Sequence, residues 1–453
     1  MKTFSVIHLL LLVGATIDLI FLATPVFSQD GEKIQELQRV IEAQQKQNEA
    51  QQKQIEAQQK QLEAQKQLLQ DLQKQMEILV KDADSEEVPV AAEKPTERPA
   101  VASTKAQPPG EKVVTSGGGK RVKLALSGQV NRAVNIVDDG KETDAYFVDN
   151  DNSESRVRFD GAAKATDDLT LGTRIELTIG PNLAGQVNQN NQETNNIFDQ
   201  RWTEVSLDSK RFGKLSLGKG ATASYGSGAV DLSRTAVISY ATISDTAGGM
   251  LFRQTSDDDL TNVNIADAFN SFDGLSRKNR VRYDTPSFYG FHLAGSAISD
   301  ERYDAALFWG GQGYGFKAAG AAAVADPNED SADLQYNGSF SLLHENTGLN
   351  LTLSSGFLDR DNQSDPKNFY AKLGWLTRFF SFGTTAFGVD YTRSLNLPTE
   401  DDDGYSIGAA AVQLFEEYGT EVYGLYRLHS LDRDVEPGVH DINVVSIGAR
   451  VKF

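Results

Sequence analysis

The feature that most restricts this chain is a period of two that recurs to its last residue. In the terminal run DINVVSIGARVKF, residues 441–453, Val445, Ile447, Ala449 and Val451 fall on alternate positions and lead to Phe453. Ser446, Gly448, Arg450 and Lys452 occupy the other register. Side chains of a strand alternate between its faces, so this run has one oily and one wet face. Segments of about ten residues with the same alternation run back to about residue 121, separated by Asp-, Asn- and Gly-rich loops. About sixteen are expected. Ser155–Lys164 places Val157, Phe159 and Ala163 against Arg156, Arg158, Asp160 and Lys164. In the next segment Leu171, Thr173, Ile175 and Leu177 oppose Arg174 and Glu176.

So many half-polar strands exceed what one sandwich holds, and an even number fits a closed bacterial barrel. The expectation is an all-β protein, a 16-stranded antiparallel transmembrane β-barrel over 121–453 whose outside meets outer-membrane lipid and whose inside meets water. Connections alternate between tight (Phe212-Gly213, Phe379–Phe382) and long (Asp138–Asp151, Gly180–Ile197, Leu431–Asp441), as short periplasmic turns and longer external loops do. Aromatics at strand ends, such as Phe288, Tyr289 and Trp375, suit interfacial girdles.

The rest of the chain is different in kind. Residues 1–28 read as a signal peptide: Lys2, an apolar run interrupted by Asp18, then Val26-Phe27-Ser28 before Gln29. Residues 29–81 read as an α-helical coiled coil. Ile34, Ile41, Ile55, Leu62, Leu69 and Met76 repeat every seven or fourteen residues, with Leu37, Leu72 and Leu79 at the partner position. That seam implies self-association and, behind a barrel, a place in the periplasm. Residues 82–120 carry Pro89, Pro95, Pro99, Pro108 and Pro109 and then Gly117-Gly118-Gly119, with no apolar face. They read as a flexible, disordered linker.

Composition removes several functions. The net charge of −19 gives no electropositive footprint for nucleic acid. With no cysteine there is neither a disulfide framework nor a thiolate metal site. The five histidines show no spacing for a nucleophile or a metal, so no enzyme, cofactor or metal is expected.

One connection is out of scale. About fifty residues, 223–276, mix apolar pieces (Ala236–Ala241, Met250-Leu251-Phe252) with Asp257-Asp258-Asp259. Loops of that length are usually functional, and apolar pieces sit poorly in open water. Folding inward would bury them on the wall and narrow the channel.

The segments SESRVRFDGAAKATDDLTLGTRIEL, FDQRWTEVSLDSKRFGKLSLGKGATASYG, KNRVRYDTPSFYGFHLAGSAIS and IGARVKF resemble the Gram-negative general (trimeric) porins, in that family's order. The coiled coil and linker resemble the extension of DcaP-type trimeric porins. The resemblance implies a homotrimer and a constriction between an inward third loop and a basic ladder on the wall. Carried over, that ladder would include Arg156, Arg158, Arg174 and Lys219, with Glu176 beside it and Asp231 and Asp245 as acidic candidates in the loop. Gln129 stands where some members have lysine. Alternation from Leu215 and Leu217 gives Lys219 the lipid parity, and a bulge at Gly218 would turn it inward. Phe453 resembles the signal read by the outer-membrane assembly machinery.

The function expected is passive diffusion of small hydrophilic solutes and ions. The alternative is a structural outer-membrane protein whose coiled coil anchors or spaces the envelope through cell-wall contact. Acidic outer loops favour cations at the mouth, and wall arginines favour anions deeper in.

Overall fold

A computed structural model describes residues 113–114, 122–194, 198–329, 332–361, 363–434 and 437–453. The expected signal peptide, the coiled coil and most of the linker lie outside the described residues.

Sixteen antiparallel staves form the wall. They are β1 (Val122–Asp138), β2 in two pieces (Thr143–Asp149 and Arg156–Lys164), β3 (Leu169–Thr178), β4 (Asp199–Ser209), β5 (Gly213–Ala221) and β6 (Arg277–Asp284). Then come β7 (Phe291–Ile298), β8 (Arg302–Gly313), β9 (Phe316–Asp326), β10 (Ala332–His344) and β11 (Leu349–Arg360). The last are β12 (Lys367–Phe380), β13 (Gly383–Leu395), β14 (Asp403–Phe415), β15 (Thr420–Asp432) and β16 (Ile442–Lys452). Each pairs with its chain neighbours. β1 pairs with β16 from Gln129↔Lys452 to Asp138↔Asn443, which closes the ring and leaves no open edge. Gly128 and Phe453 exchange backbone hydrogen bonds at 2.8 and 3.0 Å and so finish the seam.

The alternation read from sequence decides the faces. Leu126, Val130, Leu171, Ile175, Val205, Leu217, Val389, Ile447 and Val451 all point outward and are exposed. An apolar band of this kind is stable only against lipid hydrocarbon. At the tight-turn end Phe212, Phe288, Tyr289, Tyr314, Phe379 and Phe380 are exposed as well, where ring edges can meet headgroups. Both ends of the barrel, Val122 and Phe453, lie on that side.

Two readings are corrected. Asp138–Asp151, expected as a long loop, is mostly strand. A tight turn at Gly140 (φ 90°), where the Asp138 and Asp139 carboxylates accept the Gly140, Lys141 and Glu142 N–H groups, starts Thr143–Asp149 back along the upper half of β1. Alternation was present there too, with Tyr146 and Val148 buried inside and Phe147 outside. In addition, Val113–Val114, within the expected linker, pairs with β1 at Ala125 and Leu124.

Candidate functional site: the lumen and its long loop

The loop between β5 and β6 lies against the inner wall. Its first limb crosses β7–β11, where the inward residues are small or hydroxylic. Ala223 N–H donates to Ser296 Oγ (2.7 Å), Ser224 N–H to Asp304 Oδ2 (2.8 Å), Val230 N–H to Ser339 Oγ (2.9 Å) and Leu232 N–H to Ser341 Oγ (3.0 Å). Ser354 Oγ donates back to Gly228 O at 2.7 Å. Alanines 294, 306 and 319 leave the room this limb needs. A loop backbone inside a barrel must satisfy its polar groups, and the wall serines do that.

Charged contacts hold the next part. Lys372 Nζ on β12 meets Asp231 Oδ2 at 2.5 Å and also donates to Thr235 Oγ1 and Ser239 O, both at 2.9 Å. Ser239 Oγ donates to Asp390 of β13 (2.6 Å), which Arg427 of β15 holds through two bonds of 2.7 and 2.8 Å. Arg234 reaches Glu416, in the β14–β15 turn, at 3.0 Å. The loop therefore descends to the tight-turn end before it climbs again.

The remaining apolar pieces pack as one cluster. Val237, Ile238, Ile243, Met250, Phe252, Ile265 and Phe269 are buried against inward Val412 and Leu414 (β14), Leu425 and Leu431 (β15), Ile442 and Val444 (β16) and Val137 (β1). These wall positions break the polar-inside rule because a loop covers them. A signal was available: β14–β16 carry apolar residues at both parities, as strands covered on both faces do.

The staves left uncovered, β3–β6 and the Arg156–Lys164 piece of β2, carry the charges. Glu176 of β3 is fully buried and takes Arg158 (2.5 Å), Arg201 (2.8 Å) and Arg156 (3.7 Å). Arg201 also pairs with Glu154. It gains the lumenal face through a bulge, since Glu176 faces Trp202 while Leu177 faces Gln200. Arg174 pairs with Asp160 at 2.7 Å. On β6, Arg280 pairs with Glu204, and Arg282 pairs with Asp284 at 2.7 Å. Arg277 stacks between the rings of Trp202 (4.8 Å) and Tyr225 (4.6 Å).

The sequence-expected residues divide accordingly. Arg156, Arg158, Arg174 and Glu176 stand together on the inner wall. Lys219 does not join them. The β5 ladder runs without a shift from Lys214 to Ala221, so Lys219, opposite Thr203 and Asn279, keeps the parity of Leu215 and Leu217. Gly218 has φ 122° yet adds no residue, so the bulge that would have turned the lysine inward is not formed. Asp231 is likewise no open acid of the lumen, because it is buried under Lys372. Asp245 is half-buried, with the Tyr240 hydroxyl donating to its Oδ2. Burial pushes its carboxyl up to about 7 against that bond. Burial likewise pushes Asp273 up to about 6, against the Gly226 and Gly228 N–H groups it accepts. The sequence reading missed Arg201, Arg277, Arg280 and Arg282. Alternation within RKNRVRYD would have given Arg280 and Arg282 the face opposite Val281 and Tyr283.

A closed ring of sixteen strands, oily outside and charged within, is a bacterial outer-membrane channel. The chain belongs to the Gram-negative porin family, whose model matches residues 99–450. That family comprises channels rather than enzymes, and it places this protein in the outer membrane as a passive diffusion channel. Among solved structures, an anion-selective porin from Comamonas acidovorans matches at TM-score 0.51 and 16% identity, over 73% of this chain and 100% of that one. A loop L8 deletion mutant of OmpT, an outer membrane protein of Vibrio cholerae, matches at 0.50 and 14%, over 74% and 100%. The outer membrane channel DcaP of Acinetobacter baumannii matches at 0.49 and 12%, over 75% and 99%. At these identities the first two show a likeness of fold alone. No curated protein sequence matches the chain.

Proposed function

We propose that the long loop sets the bore of a channel for small hydrophilic solutes and ions, which pass between it and the basic wall of β2–β6. The observation that carries this reading is the division of the wall. The loop covers the alanine, serine and apolar positions of β7–β16, while Arg156, Arg158, Arg174 and Arg282 remain half-buried on the other side. Charges on a narrow wall sort ions and orient dipolar solutes. Asp245 is the loop's acidic counterpart to this wall. A homotrimer fits the family, the heptads of 32–80 supply a self-associating periplasmic coiled coil able to touch the cell wall, and Phe453 serves as the assembly signal. A structural role for that coil is compatible with transport.

Purified protein in planar bilayers should give conductance steps in groups of three. Deleting residues 223–270 should raise the single-channel conductance; an unchanged value rules out the loop as the constriction.

A further inference from the structure

Beneath the loop, one patch of wall buries polar atoms that the protein leaves unpaired. His429 and Arg427 of β15 and Thr392 of β13 are fully buried. Among the described residues, both ring nitrogens of His429, Arg427 Nε and Thr392 Oγ1 have no hydrogen-bond partner. Register makes them neighbours: Thr392 lies opposite Ser406, Ser406 lies opposite His429, and Arg427 shares the inward face two residues away. The loop's Phe269, itself buried, closes the patch, its ring centroid 5.3 Å from that of His429. Gly404 makes the fit possible, since a Cβ there would come within 3.1 Å of the Phe269 ring.

Several charged groups on the elements around His429 are already engaged. Arg427, on its own strand, is held by Asp390 of β13, whose other donor is Ser239 of the loop. Lys372 of β12 is held by Asp231 of the loop. From β16 the neighbours are Ile442 and Val444; just before β14 Asp402 is engaged by Arg433, and at its start Asp403 pairs with Arg393. Asp267, two residues before Phe269 in the loop, accepts the Asn264 N–H at 3.0 Å. A proton on His429 would make a second cation beside Arg427, and among the described residues no carboxylate is hydrogen bonded to its ring. A buried, unpaired charge is costly, and relief comes from letting water in.

We propose that His429 is an acid-operated latch on the long loop. Neutral, it packs under Phe269 and keeps the Ile265–Phe269 segment on the wall. Protonated from bulk water, it is rehydrated by lifting Phe269, and the segment swings into the lumen and narrows it. A histidine in water takes up its proton in the mildly acid range, so acid favours the lifted state, in which His429 is wet, over the packed one. The latch rests on the loop being the constriction.

The test uses full-length protein in planar bilayers as pH falls from about 7.5 to about 4.5. Wild type should lose about half its time-averaged conductance, reversibly. His429→Phe and His429→Gln should match wild type at neutral pH and lose that fall. An independent readout is amide exchange of Ile265–Ala268, which should speed up at acid pH, after correction for intrinsic rates, in wild type but not in His429→Phe. Variants that titrate like wild type, or a fall abolished by Asp245→Asn instead, overturn the latch. Acid-enhanced exchange without a change of conductance would keep the latch and remove the loop as constriction.

Discussion

Lys372 on β12 and Asp231 in the long loop meet at 2.5 Å with neither side chain open to solvent. The pair lies where the loop has crossed from the serine-lined staves to the apolar ones, and it fastens the loop to the wall between them. Two further acceptors complete the ammonium, so the charge is both paired and hydrogen bonded. Lys372→Met leaves Asp231 buried and alone, which costs about 3–5 kcal/mol. The folded form should convert to the unfolded form at a lower temperature on semi-native gels. Lys372→Met with Asp231→Leu should recover most of the loss.

Glu176 balances three arginines on the uncovered wall. Glu176→Gln removes one negative charge from the lumen. At about 8 Å and an effective dielectric of about 40, one charge is worth about 1 kcal/mol, or about fivefold in ion preference. Reversal potentials in a salt gradient should move toward anions by that order.

Arg158 and Lys219 differ in face, not in charge. Arg158→Gln should move the reversal potential toward cations. Lys219→Gln, on the lipid parity, should leave it where it was. A shift with Lys219→Gln equal to that with Arg158→Gln would mean that β5 is out of register.

The loop acids make selectivity depend on pH. Asp245 is pushed up to about 7 and Asp273 to about 6 by burial. As pH falls from about 8 to about 5, Asp245 and then Asp273 take up protons, two negative charges leave the loop, and preference should drift toward anions. Asp245→Asn should remove the upper part of the drift and keep the lower.

Much of the lumen was legible from local pattern. Arg156, Arg158, Arg174 and Glu176 could be placed from alternation alone, because a strand's period fixes the face of every residue between two bulges. The same rule, followed strictly, puts Lys219 outside. The family likeness pulled it inward through a bulge that glycine permits but does not compel. Arg201 went the other way, for its bulge leaves no trace in RWTEV. The apolar inward residues of β14–β16 did announce a covering, but not what covers them.

The sequence by itself determined the wall. Period-two alternation sets which side chains meet lipid, and the even run of strands with no tolerable edge requires closure. Tertiary structure alone decided the interior. The loop's path depends on contacts between residues more than a hundred positions apart, as in Asp231 with Lys372 and Ser239 with Asp390. Such pairings belong to no local period, so they are set only once the barrel has closed around the loop.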